Sequence, residues 1–288
     1  MASRLLATTN EQRGTLAALL DNISYEIMPF KTAKDKVVAE VPTSIPLTVT
    51  ATGGKGLEPT LETAVYLRSR GYSVAPHLPA RLVRDAEELD TVVRRLEAAD
   101  IDRVFIIGGD AEEPAGDFAD AYGLLTALKE RGHHFTDVGI GGYPEGHALI
   151  SDDAINRSLS DKAPLATRLL TQICFDPRTF MDWGSRVRQQ GIDLPIYAGM
   201  PGPVSRQKLL RVSAGLGLGQ SANFLKKQQN MFWRFFSPSG YEPTQLIKGL
   251  VQGLPASDAA IKGFHIFTFN DLAQTENWRR GLLEQTRG

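Results

Sequence analysis

The chain has 288 residues, 42% of them hydrophobic, and 32 basic against 33 acidic side chains leave a formal charge of -1. Such a balance sets up no field that would draw the protein to a nucleic-acid backbone or an anionic membrane. The lone cysteine, Cys174, excludes an internal disulfide and a multi-cysteine zinc site.

The N-terminal stretch Met1 to Asn10 lacks the apolar run of a signal peptide, and no later segment approaches the roughly 20 apolar residues of a membrane span. The expectation is a cytoplasmic protein with one sizeable core. In chain order, a helix is expected over Glu11 to Leu20. After it, short apolar runs alternate with longer amphipathic stretches, as βα units do. The expected strands are Ile23 to Ile27, Leu47 to Thr50, Ser73 to His77, Val104 to Gly108, Val138 to Gly142, Leu169 to Phe175, Pro195 to Gly199 and Phe264 to Phe269. Helices are expected over Glu58 to Arg70, Ala86 to Ala98, Asp120 to Arg131, Asp152 to Lys162, Phe180 to Gln190 and Ser205 to Leu216, and Gly71, Gly132 and Gly191 stand where three of them should stop. Between strands seven and eight, Gly217 to Lys262 carries Phe224, Phe232, Trp233, Phe235 and Phe236, which suggest extra helices and an aromatic lid.

Eight strands in about the 250 residues that a (β/α)8 barrel needs favour a single TIM barrel over residues 1–288, against a competing flavodoxin-like or Rossmann sheet. Chemistry in such a barrel belongs at the C-terminal strand ends. There the sequence offers Glu26, Thr50, His77, Asp110, Tyr143 with Glu145 and His147, Gln172 with Asp176, and His265 with Thr268 and Asn270. Each alone has a bland explanation, as a helix cap or a hydrogen-bonded structural residue. Their recurrence from strand to strand does not.

Several of these residues lie in runs that resemble methylenetetrahydrofolate reductases. Ser24-Tyr25-Glu26-Ile27-Met28-Pro29 is similar to the family's S-F-E-F-F-P, and Ala75-Pro76-His77-Leu78 to its A-P-H-L. Gly109-Asp110 resembles the G-D after strand four, Tyr143-Pro144-Glu145-Gly146-His147 the Y-P-E-x-H, Thr171-Gln172-Ile173-Cys174-Phe175-Asp176 the T-Q-F-F-F-D, and Phe264 to Asn270 the F-H-F-Y-T-L-N. The resemblance implies reduction of 5,10-methylenetetrahydrofolate to 5-methyltetrahydrofolate with NAD(P)H, NADH being the expected donor. It implies that Glu26 is the acid for N10, that Asp110 both binds the pterin and stabilises developing cation, and that Gln172 and Phe267 hold the folate. Thr50, His77, Gly109, Asp110, Tyr143, His147 and Lys162 match positions lining the cofactor cleft. The apolar Ile27, Met28, Pro29 and Phe30 around Glu26 favour its protonated form.

Familiar members hold FAD with an arginine just before G-D and an A-G-A-[DN] stretch before T-Q. This chain has Gly108 and Ala166-Thr167-Arg168-Leu169-Leu170 at those places. FAD thus stays an open expectation: either flavin relays the hydride, or the nicotinamide passes it directly, the alternative the weakened diphosphate grip favours. Gly215-Leu216-Gly217-Leu218-Gly219 lacks the G-x-G-x-x-G spacing and reads as a helix end. Lys226 and Lys227 read as a solvated face, and Cys174 as a buried strand residue. A folate-dependent one-carbon-transferring barrel and a catalytically silent folate-binding protein remain as alternatives. Oligomeric state is open, a homo-oligomer included.

Overall fold

The computed structural model describes residues 7–51, 53–147, 150–205, 207 and 243–287. The expected helix from Ser205 to Leu216 lies outside them except for Ser205 and Gln207, as do the glycine cluster at 215–219, Lys226, Lys227 and the aromatic residues at 224–236. Eight parallel strands follow one another as a closed barrel in the order β1 to β8. They are β1 (Ser24–Ile27), β2 (Leu47–Val49), β3 (Val74–Pro79), β4 (Arg103–Ile107), β5 (Asp137–Gly142), β6 (Arg168–Thr171), β7 (Ile196–Pro201) and β8 (Ile261–Phe267). The described helices are α1 (Asn10–Asp21), α2 (Ala33–Glu40), α3 (Glu58–Ser69), α4 (Ala86–Ala98), α5 (Ala121–Arg131), α6 (Asp152–Lys162), α7 (Pro177–Gln189), α8 (Thr244–Gly253) and α9 (Leu272–Glu284).

Helix boundaries follow local chemistry. Thr9 and Gln12 form a reciprocal capping box at the start of α1. Asp85, Asp120 and Asp176 cap α4, α5 and α7 by accepting the N–H of Glu88, Gly123 and Thr179. At the C-terminal side, Gly71, Gly132 and Gly191 adopt φ of 88°, 77° and 78°, a conformation that stops a helix and that only glycine takes without strain.

The expected sixth strand runs four residues too far. β6 ends at Thr171, whose hydroxyl accepts the N–H of Gly199, and Gln172 to Phe175 is loop. The eighth strand starts earlier than expected, at Ile261. β2, β3 and β6 are buried along their whole length, as parallel strands covered on both faces must be.

By its contacts the chain divides into two compact units, Ser24–Gly142 with Asp153–Leu170, and Met1–Ile23 with Tyr143–Asp152 and Thr171–Gly288. In the first, Tyr25, Leu47, Leu67, Leu78, Leu89 and Leu96 form the fully buried core. Charge is drawn inward there: Asp137, itself half-buried, meets buried Arg168 at 2.9 Å and half-buried Arg103 at 2.6 Å, all three at the N-terminal ends of their strands. Gly139 leaves room for this arrangement, since a Cβ on it would lie 2.7 Å from the Phe105 ring and 3.1 Å from Arg168 Nε.

In the second unit, Leu16, Phe180, Phe264 and Ile266 are fully buried, and α1 ends against β8. A Cβ on Gly263 would fall 2.0 Å from the carbonyl oxygen of Asn22, so backbone meets backbone there. Gly263→Ala is therefore expected to destabilise the protein by roughly 1 to 3 kcal/mol, the usual range for overpacking a rigid site. Chemical denaturation of the two proteins side by side checks this; an unchanged midpoint would show that the end of α1 can move aside.

Candidate active site

In the first unit the chemistry gathers around Glu26. Strand periodicity buries Tyr25 and Ile27 on one face of β1 and turns Glu26 to the other, where it stands in register with Thr48 of β2, itself in register with Ala75 of β3. Two residues along β3, on the same face as Ala75, is His77. Its Nε2 lies 3.7 Å from Glu26 Oε2, and the two side chains are only 7% and 16% exposed. The imidazole rests at 4.7 Å and a 49° tilt on Phe105, its register partner on β4. Burial raises the Glu26 pKa from 4.5 to about 7, with His77 pulling in the opposite direction. The hydroxyls of Thr48 and Thr50 are buried and have no hydrogen-bond partner among the described residues.

Beyond β4 the chain turns at Gly109, whose φ is 92° and whose place any Cβ would contest with Pro79 at 2.9 Å. Asp110 follows, exposed and making no hydrogen bond or ion pair among the described residues. Gly108, by contrast, has open space where a side chain would be. Lys162 ends α6 and is buried, with no carboxylate within ion-pair distance among the described residues. Burial lowers its pKa, and the charge of Asp120 acts against that shift.

The second unit holds the remaining expected residues. Tyr143 and His147 meet edge to face at 5.4 Å, across a turn in which Gly146 N donates to Tyr143 O. Glu145 Oε1 accepts the Phe175 N–H at 3.0 Å, and Asp176 accepts both N–H and hydroxyl of Thr179, so these two carboxylates anchor backbone. Gln172 is exposed, with its carboxamide oxygen accepting the N–H of Ile173 at 2.9 Å. The Cys174 thiol is buried and its pKa is pushed well up by that burial and by Glu145, which suits the structural role expected of it. At the end of β8, Phe267 meets buried His265 edge to face at 5.3 Å. Phe269 and Asn270 then take φ of 49° and 55° in succession.

Residues 22–221 match the model of the family described as methylenetetrahydrofolate reductase. The chain belongs to the methylenetetrahydrofolate reductase family. Among individual proteins it is 26% identical to the 5,10-methylenetetrahydrofolate reductase of Pectobacterium carotovorum over 271 residues, 86% of each chain. It is 25% identical over 180 residues to methylenetetrahydrofolate reductase 2 of Saccharomyces cerevisiae, which covers 56% of this chain and 29% of the yeast protein. The chain thus spans less than a third of that longer relative. A similar solved structure is an uncharacterized Clostridium thermocellum protein that binds two copies of 5-methyl-5,6,7,8-tetrahydrofolic acid, with a TM-score of 0.59 at 12% identity, covering 93% of this chain and 99% of that one. That likeness concerns the fold.

Within the reductase family pattern, two features escaped the sequence reading. Thr48 escaped because it lies one position inside the strand end; only register shows it beside Glu26. Arg81 escaped because nothing near it in sequence hints at a task. Its guanidinium donates to the carbonyls of Ala111, Glu112 and Ala119, which lie 30, 31 and 38 residues further along the chain. No helix among the described residues is long and apolar enough to cross a membrane.

The raised Glu26 pKa has a consequence for stability. A carboxyl that binds its proton more tightly when folded stabilises the fold most below its unfolded pKa of 4.5, and that contribution is lost as the pH climbs through about 7. The charge left buried above that pH is expected to cost about 3 kcal/mol, so Glu26→Gln should gain stability relative to wild type by up to that amount between pH 4 and pH 8. Denaturant titrations at the two pH values measure the gain; parallel pH dependences would mean that the carboxyl is solvated when charged.

Proposed function

We propose that this chain reduces 5,10-methylenetetrahydrofolate to 5-methyltetrahydrofolate with NAD(P)H, NADH preferred, and that residues 1–288 act as one catalytic domain. The observation that carries the reading is a carboxyl group, at the end of the first strand of a reductase-family chain, that holds its proton up to about pH 7. Opening the five-membered ring needs exactly one proton, delivered to N10 as its bond to the methylene carbon breaks. Glu26 supplies it, leaving an N5 iminium. A bound dihydronicotinamide would supply the hydride that turns that carbon into the methyl group, being itself oxidised to NAD(P)+, and solvent would restore the proton to Glu26.

His77, 3.7 Å from the acid, orients Glu26 as well as bordering the nucleotide cleft. Asp110, exposed on its loop, binds the pterin and offsets the positive charge that develops on the iminium. Gln172 and Phe267 complete the folate side. The Gln172 oxygen, which accepts the N–H of Ile173, keeps a second lone pair for the folate. By the family resemblance, Thr50, His77 and Gly109 in the first unit, and Tyr143 and His147 in the second, are assigned to the nucleotide, and the buried ammonium of Lys162 suits one phosphate.

FAD fits these residues poorly. Gly108 provides no guanidinium for a diphosphate although the space beside it is open, so packing does not account for the glycine. Loss of such a charge-assisted contact removes about 1.5 to 3 kcal/mol of binding. Direct transfer needs no resident flavin, and the protein's task is then to bring two flat rings together and exclude water.

Two measurements test this reading. The purified protein is expected to be colourless and to oxidise NADH only when methylenetetrahydrofolate is present; a yellow preparation that loses activity on flavin removal and regains it with FAD would refute direct transfer. Glu26→Gln should lower the reduction rate by about a hundredfold while leaving NADH binding intact, the usual worth of a positioned acid. Wild-type turnover by that variant would take Glu26 out of the reaction.

A further inference from the structure

The loop that carries Asp110 runs from Gly108 to Asp120, between the end of β4 and the start of α5. Loops of this length without secondary structure are uncommon in compact domains unless functional. Asp110 makes no contact of its own among the described residues that would fix it. Its place is therefore set by whatever holds the loop backbone.

That hold comes from the short turn after β3. Arg81 Nη1 donates to Ala111 O and Glu112 O, each at 2.9 Å, on the arm that contains Asp110. Its Nε donates to Ala119 O at 2.9 Å on the opposite arm. The Arg81 backbone adds two more bonds, from its N–H to Gly108 O and from Ala115 N–H to its carbonyl, both 3.0 Å. Three residues on, Arg84 O accepts the Asp117 N–H at 2.7 Å, and a Cβ on Gly116 would fall 2.0 Å from that same oxygen. The loop is pressed onto the turn closely enough that only glycine fits at 116.

We propose that Arg81 is the positioning residue for Asp110, its guanidinium tying both arms of the loop so that the carboxylate is presented in one fixed place. The planar fork of an arginine reaches carbonyls on two arms at once, which the single ammonium of a lysine does not. The inference rests on the reading that Asp110 contacts folate.

A double-mutant cycle tests it, read as the Kd of 5-methyltetrahydrofolate and as kcat/KM for methylenetetrahydrofolate. On the wild-type background Arg81→Met, which keeps the aliphatic stem, is expected to lower kcat/KM by about a hundredfold, the effect of misplacing a reacting group by an ångström. Arg81→Lys should recover part of the loss. On an Asp110→Asn background the same Arg81 changes should alter kcat/KM and Kd by no more than about twofold, because the group they position is already gone. Equal losses on the two backgrounds, in whichever Arg81 variant keeps the wild-type Tm, would overturn the proposal and leave Arg81 a purely structural clasp. An Asp110→Asn protein with unchanged kinetics and Kd would instead bring down the role of Asp110 itself. Amide hydrogen exchange gives an independent reading: the N–H groups of Ala115 and Asp117 should exchange faster in Arg81→Lys, and unchanged protection there would also count against the clasp.

Discussion

Glu26 and His77 stand 3.7 Å apart inside a parallel barrel, and that placement constrains much of the site around them. Removing a carboxylate from water is unfavourable, so the group holds its proton to about pH 7. Were the environment wholly apolar the shift would go further; the imidazole beside it pulls the other way. The two effects together leave the carboxyl poised near neutrality. Keeping it requires that β1, β2 and β3 stay in register, since Glu26 faces Thr48 and His77 only in that pairing, and that Phe105 of β4 backs the imidazole.

A second charged cluster of the same unit, centred on buried Arg168, is arranged differently. At the N-terminal ends of β4, β5 and β6, the carboxylate of Asp137 is shared between two guanidinium groups and meets the hydroxyl of Thr167. Removing one member of such a partly buried set would leave a charge uncompensated, so the three side chains depend on one another. Along these strands the ion pairs gather where β4, β5 and β6 begin, whereas near the end of β1 a buried carboxyl stands beside an imidazole.

In the second unit the turn after β8 is shaped by backbone rather than by charge. Phe269 and Asn270 occupy the left-handed region consecutively, a conformation asparagine tolerates and a bulky aromatic residue resists at about 1 to 3 kcal/mol. Thr268 anchors the turn by accepting Asn270 N–H on its hydroxyl and Asp271 N–H on its carbonyl. Phe269 packs with Ile173, Phe175 and Val204 in a small apolar cluster, which offsets the strain and fixes the chain beyond Phe267.

Much of the fold was legible in the sequence because its signals are local. α4 and α6 have the expected bounds, and Gly71, Gly132 and Gly191 stop helices, since periodicity, caps and the left-handed turn depend on near neighbours. Short runs at the strand ends also disclosed the family and, with it, where Glu26, His77 and Asp110 would lie. The sequence could not tell that β6 would end at Thr171, because that boundary is a hydrogen bond to Gly199 on another strand. Nor could it separate Asp176, a helix cap, from Glu26, a buried acid; the two differ only in what folds around them. Arg81 and Thr48 were invisible for the same reason. Strand register and loop docking join residues tens of positions apart, so the surroundings that make a carboxyl acidic or neutral, and that hold a loop in place, exist only once the chain is folded.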